Sequence, residues 1–181
     1  LALVADADDL AVADEPHDTA QVAQPGDAQA DLLDDPDSLA GNDPMALAQA
    51  GDGPLWIGLY GVGLDRMTAD GTFVHLRHVD GDPDSLVSDN VLSLRAENDG
   101  RLWIGTTAGL DLREADGRLR HVRFEGVDKP LRIWHIDGDA DEVRVATSSG
   151  LFRVGPDLVA RRMGTGFLPA QSMTSSARGI D

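Results

Sequence analysis

The chain has 181 residues, with 32 acidic against 15 basic side chains and a net charge of −17; that is one domain's worth of chain. So negative a surface repels phosphate backbones and argues against nucleic acid as a partner. No Cys is present, which excludes disulfides and thiolate chemistry but leaves the compartment open, and no run approaches the length of apolar sequence that spans a membrane.

Residues 1–65 hold 14 acids and no Lys or Arg, while residues 66–181 hold 18 acids and all 15 bases. A solvated acidic face explains this better than a cation-binding or basic-partner surface. Residues 1–36 read in two ways. Apolar stretches at 1–5 and 10–13 and a turn at Pro25-Gly26-Asp27 fall where a degraded four-stranded unit would put its strands, whereas low hydrophobicity with high charge fits a disordered acidic leader. The chain starts at Leu1 without a basic-then-apolar leader, and it is expected to be a piece of a longer protein.

From residue 37 a repeat takes over. Leu55-Trp56-Ile57-Gly58 returns 47 residues later as Leu102-Trp103-Ile104-Gly105, and Pro36-Asp37-Ser38-Leu39 returns as Pro83-Asp84-Ser85-Leu86. Gly63-Leu64-Asp65 corresponds to Gly109-Leu110-Asp111. A worn third copy runs through Val145-Ala146-Thr147-Ser148-Ser149-Gly150-Leu151, where Arg144 takes the place of Trp103. Periods in this range mark propellers and solenoids. The units are expected at 37–83, 84–128 and 129–163, with 164–181 a polar tail or the start of another unit.

Each unit reads as four short strands, in the second at 91–96, 101–106, 110–113 and 118–124, with Asp99-Gly100 and Asp116-Gly117 as tight turns. Leu102 and Ile104 point to one face, and Trp103 and Gly105 to the other. Both faces are thus buried, as in a blade between two neighbours. The expected fold class is all-β, a partial β-propeller of three to four four-stranded antiparallel blades. Trp56, Gly58, Trp103, Gly105, Gly109 and Gly150 are its structural repeat positions, the two Trp packing in the core rather than stacking on a sugar.

The run Asp99-Gly100-Arg101-Leu102-Trp103-Ile104-Gly105-Thr106-Thr107-Ala108-Gly109-Leu110, with the linker Asp82-Pro83-Asp84-Ser85-Leu86-Val87-Ser88-Asp89-Asn90-Val91, resembles the two-component regulator propeller repeat. The resemblance is strongest over residues 37–128. It implies the periplasmic or extracytoplasmic, ligand-sensing part of a bacterial sensor protein. A small molecule or oligosaccharide would be the ligand, and the remaining blades and output domains of the full-length protein would be the partners. Histidine kinase or diguanylate cyclase activity would lie in a downstream part; this segment would be non-catalytic, need no cofactor and make no membrane contact. The alternative is a propeller scaffold for protein–protein interaction.

Site motifs are sparse. Asp137, Asp139 and Asp141 alternate like a calcium loop, but Glu142 stands where the sharp-turn Gly belongs and Ser148 where the bidentate Glu belongs; Asp80, Asp82 and Asp84 are read the same way, as a polar turn. His75 and His78, three apart on an expected strand, project to opposite faces and cannot share a metal. His121 and His135 lack partners at ligand spacing. There is no nucleophile elbow, and Gly61-Val62-Gly63 lacks the strand–turn–helix context of a dinucleotide site. Topology narrows the ligand to one end of the blades, where the loop after each second strand and the crossover to the next blade lie together. Tyr60, Thr106, Thr107, Ser148, Ser149 and the 80–90 crossover are the candidate ligand-binding residues.

Overall fold

Hairpin turns at positions such as Gly61, Gly71, Gly100 and Gly117 cut the chain into short strands, and their pairing makes three sheets. The computed structural model describes residues 37–138 and 142–164; the readings of 1–36, of Asp139 and Asp141, and of 165–181 fall outside the described residues. The first sheet contains β1 (Pro44–Ala48), β2 (Leu55–Leu59), β3 (Gly63–Met67) and β4 (Phe73–Leu76). The second contains β5 (Val91–Ala96), β6 (Leu102–Thr106), β7 (Leu110–Arg113) and β8 (Leu119–His121). Both run antiparallel in chain order.

The third sheet departs from the expectation. Its strands β10 (Ile133–Gly138), β11 (Val143–Thr147), β12 (Gly150–Val154) and β13 (Val159–Arg162) are joined by β9 (Arg123–Phe124), which lies parallel to β13. The fourth strand expected at 118–124 is therefore two pieces. β8 stays on the second blade, and β9 crosses to the outer edge of the third.

Alternation along each strand decides what packs between blades. Trp56 and the residues beside it across the sheet, Ala48, Arg66 and Val74, point toward the second blade. There Trp56 joins Leu64, Leu86, Val91, Leu102, Ile104 and Leu119 in one buried cluster. Trp103 and Leu112 point onward to the third blade and pack with Ile133, Val143, Val145, Phe152 and Val154. The two faces of each LWIG strand thus serve two different interfaces, and the Trp residues are core.

The glycine of LWIG makes room for the neighbour. A Cβ on Gly58 would lie 2.5 Å from Val91 Cγ1, and one on Gly105 would lie 2.8 Å from Ile133 Cγ2 while meeting Ser93 Oγ. Val91 and Ile133 each open the first strand of the following blade. A side chain at either glycine would push that strand away.

Among the described residues the first blade's incoming face keeps its apolar character, with Ile57 buried beside Ala40 and Leu59. Leu47, across from Ile57, is 65% exposed, whereas its repeat counterpart Leu94 packs against the first blade. At the other end, the outgoing face of the third blade is a charged ladder of Asp137, Arg144, Arg153 and Arg161. Arg144 at the Trp position pairs with Asp137 at 3.2 Å, and Arg153 with Glu142 at 3.6 Å.

Candidate functional site

The loop after each second strand is tied to the residue that precedes the first. Tyr60 N–H donates to Asp43 C=O at 3.0 Å, Thr107 N–H to Asn90 C=O at 3.0 Å, and Ser148 N–H to Arg132 C=O at 3.0 Å. This bond, made three times, gathers the loops and the crossovers at one end of the three sheets. Tyr60, Thr107, Ser148 and Ser149 all lie at that end.

They differ in what they can offer. Tyr60 is half-exposed and brings an aromatic ring to these loops. Thr107 is partly buried, with its hydroxyl 3.3 Å from Ser88 Oγ on the crossover. Ser148 and Ser149 are exposed; Ser148 Oγ accepts the Arg132 N–H at 3.3 Å, and Ser149 C=O accepts from Arg162. Thr106 is wholly buried. Its hydroxyl donates to Gly109 C=O at 3.0 Å and accepts the N–H groups of Ala108 and Gly109 at 3.1 Å each. Thr106 holds the turn that presents Thr107, and Thr147 does the same by donating to Gly150 C=O at 2.8 Å.

The 80–90 crossover is a rigid frame for this end. Ser85 Oγ accepts Val79 N–H at 2.9 Å and donates to Asp82 C=O at 2.9 Å. His78 lies beyond the end of β4, so it is not on the strand that the sequence implied. Its two ring nitrogens face Leu86 C=O and the Asp80 carboxylate. Two acceptors favour the doubly protonated ring, and these hydrogen bonds, that to Leu86 first, raise its pKa.

His75 and His121 have a role that their spacing did not reveal. His121 Nδ1 lies 2.7 Å from Asp111 Oδ1, and His75 Nδ1 lies 2.8 Å from Asp65 Oδ1. Both aspartates are fully buried. Their second oxygens accept a crossover N–H: Val87 at 2.9 Å for Asp111 and Ala40 at 2.8 Å for Asp65. Each Asp therefore pins the incoming crossover to the third strand while the fourth-strand His covers its other oxygen. The signal was the Gly-Leu-Asp repeat itself, with a His ten residues on in both copies. Among the described residues no group of three or more His, Cys, Asp or Glu is placed to hold a metal ion, and no helix is long and apolar enough to cross a membrane.

Four-stranded antiparallel sheets packed face to face in chain order, each passing to the next through a crossover, make this chain part of a β-propeller. Residues 85–108, which run from the crossover through the second LWIG strand, match the family described as two component regulator propeller. Its fold is similar to that of the extracellular domain of the putative hybrid two component system BT4673 from B. thetaiotaomicron, with 20% identity and a TM-score of 0.55 over 65% of this chain and 16% of that one. The corresponding domain of BT3049 from the same organism gives 21% identity and a TM-score of 0.56, over 66% of this chain and 15% of that one. The chain thus spans less than a fifth of either. Virginiamycin B lyase from Staphylococcus aureus also shares the fold, at 14% identity and a TM-score of 0.50 over 64% of this chain and 39% of the lyase. No curated protein matches the chain in sequence.

Proposed function

We propose that this chain supplies blades of an extracytoplasmic ligand-sensing propeller in a bacterial signal-transduction protein and is itself non-catalytic. The observation that carries this reading is the two component regulator propeller repeat at 85–108, whose loop and crossover form the end of the blades where Tyr60 and Thr107 are presented. The ligand is a small molecule or oligosaccharide, for which Tyr60 offers an aromatic face and Thr107, Ser148 and Ser149 offer polar groups. Loops on a rigid scaffold carry binding disproportionately often, and Trp56 and Trp103 in the strands are taken up by packing. The bound state passes to an output domain elsewhere in the protein as a rigid-body change of the blades.

A thermal-shift screen of the intact protein against neutral and acidic oligosaccharides tests this. A true ligand raises the Tm by mass action, and Tyr60→Ala or Thr107→Ala removes that rise while leaving the unliganded Tm in place. A ligand whose effect survives both substitutions would overturn the assignment of this end as the binding face.

A further inference from the structure

The cleft between the first and second blades, at the end opposite the candidate ligand loops, holds arginines that the fold does not require. It has a volume of about 460 Å³ and is floored by Trp56, with Arg66, Arg101 and Arg113 around it. Arg66 on β3 and Arg113 on β7 bring their guanidinium carbons to 5.9 and 4.9 Å from the Trp56 ring centroid. Cation–π contact of this kind is one reason for an Arg to sit there, but the next interface shows that the packing is met without it.

The repeat supplies an internal control. Trp103 takes the place of Trp56, and the position across from it on the same face is Leu112 where the first blade has Arg66. The residue reaching back from the third blade is Val154, where the second blade has Arg113. Trp103, Leu112 and Val154 close the second interface as apolar core. The same Trp in the same cleft is thus packed by two aliphatic side chains in one interface and by two cations in the other.

Neither cation forms an ion pair among the described residues; the charge of Asp116 reaches Arg113, but its carboxylate is bound to Arg118 at 2.8 Å. Among the described residues the Arg66 side chain makes no hydrogen bond or ion pair, and the Arg113 side chain donates only to the backbone C=O of Glu114, with its Nε buried and unpaired. The nearby acids are committed elsewhere: Glu97 pairs with Arg95 at 3.0 Å and Asp99 with Arg101 at 2.7 Å. Asp52 lies on the rim in an exposed turn. Removal of Arg113 from water lowers its pKa, and the positive charge of Arg66 lowers it further.

We propose that this cleft is a binding site for a small oxyanion ligand, a carboxylate, sulfate or phosphate group, held between Arg66 and Arg113 against Trp56. Planar guanidinium groups bind such oxygens through paired N–H donors, and the anion would relieve the repulsion between the two cations. This site goes beyond the sensor reading and stands independently of it, since it uses other residues at the other end of the blades.

The test is titration of the intact protein with sulfate, phosphate and citrate, followed by Tm and tryptophan fluorescence, against sodium chloride at matched ionic strength. The site predicts a saturable response to at least one of the three, and which of them acts identifies the group. Arg66→Leu and Arg113→Val install the residues of the second interface. Each is expected to weaken that response about tenfold or more while leaving the anion-free Tm unchanged or higher. Arg66→Gln, which keeps an aliphatic stem on Trp56 without the charge, should weaken it likewise. A wild-type response no greater than that to chloride, or one unchanged in the Arg66 and Arg113 variants, would overturn the proposal.

Discussion

Asp111 and His121 face each other across β7 and β8, and the same carboxylate holds the backbone of Val87, 24 residues earlier in the chain. One buried acid thus joins the third strand, the fourth strand and the incoming crossover of its blade. Asp111→Ala leaves the Val87 N–H and the His121 Nδ1 without their buried acceptor. Loss of such a buried partner costs about 1–3 kcal/mol. Asp65→Ala releases Ala40 and His75 in the first blade and also removes the carboxylate that faces Arg77 at 3.5 Å, so its cost should be at least as large. Denaturant unfolding of the two single variants and the double measures both, and the two sites, being on different blades, should add.

The His121–Asp111 pair makes stability depend on pH. The hydrogen bond to Asp111, assisted by its charge, raises the His121 pKa against the opposing effect of burial. A raised folded pKa means that the folded state holds its proton more tightly than the unfolded chain. The stabilisation is therefore complete below the unfolded value of about 6.5 and is lost as pH rises through the folded pKa. The side chain is 39% exposed, and solvent screening keeps the effect within about 1 kcal/mol. His121→Gln should have a flatter Tm profile than wild type between neutral and alkaline pH. His78 is present in both proteins and cancels. An NMR titration of His121 should give a pKa above that of the free side chain, which falls in Asp111→Asn.

Gly105 and Gly109 lie four residues apart, and their tolerance should be opposite. A methyl on Gly105 meets Ile133 of the next blade and Ser93 of its own, and both are buried. Gly105→Ala must shift a first strand, an overpacking that costs about 1–3 kcal/mol. A methyl on Gly109 finds only Val87 methyl groups at 3.6 and 3.8 Å, in ordinary contact. Gly109→Ala should change stability by no more than about 0.5 kcal/mol in either direction. Thermal melts of the two variants side by side decide it.

Much of the architecture was legible in the chain because the repeat is written in residues that touch across interfaces. Trp56 and Trp103, Gly58 and Gly105, and the turn glycines each answer a steric demand that recurs with every blade, so their period exposes the fold. The site was harder to read. Asp65 and Asp111 look like surface acids until the crossover N–H and the His ten residues on are seen to converge on them. The arginines around Trp56 come from β3 of one blade and β7 of the next, 47 residues apart, and no local pattern brings such positions together. The break of 118–124 into β8 and β9 depends on a partner, β13, that follows almost forty residues later. Local alternation carries no record of that choice.

The third blade solves the attachment of its crossover differently, and that difference is testable at Phe152. The position held by Asp65 and Asp111 is Phe152 here, and the position across from it, held by His75 and His121, is Arg162. Phe152 is wholly buried, meets Phe124 edge-to-face at a centroid distance of 5.2 Å, and has the Arg162 guanidinium 4.9 Å from its centroid. The crossover is held by β9 instead: Arg123 N–H donates to Leu158 C=O at 3.1 Å and Glu125 N–H to Ala160 C=O at 2.9 Å. Those bonds commit the Arg123 and Glu125 N–H groups to β13, so neither is free to meet an Asp at position 152. Phe152→Ala should cost about 3–5 kcal/mol through the lost apolar burial and the cavity. Phe152→Asp should cost more, since it adds a buried charge to the same cavity. Adding Arg162→His to Phe152→Asp recreates the two side chains of the other blades without their third partner. Because β9 and not an acid holds this crossover, the double variant should stay well below wild type in denaturant unfolding. Recovery to wild-type stability would show that the Asp–His pair suffices without the crossover N–H.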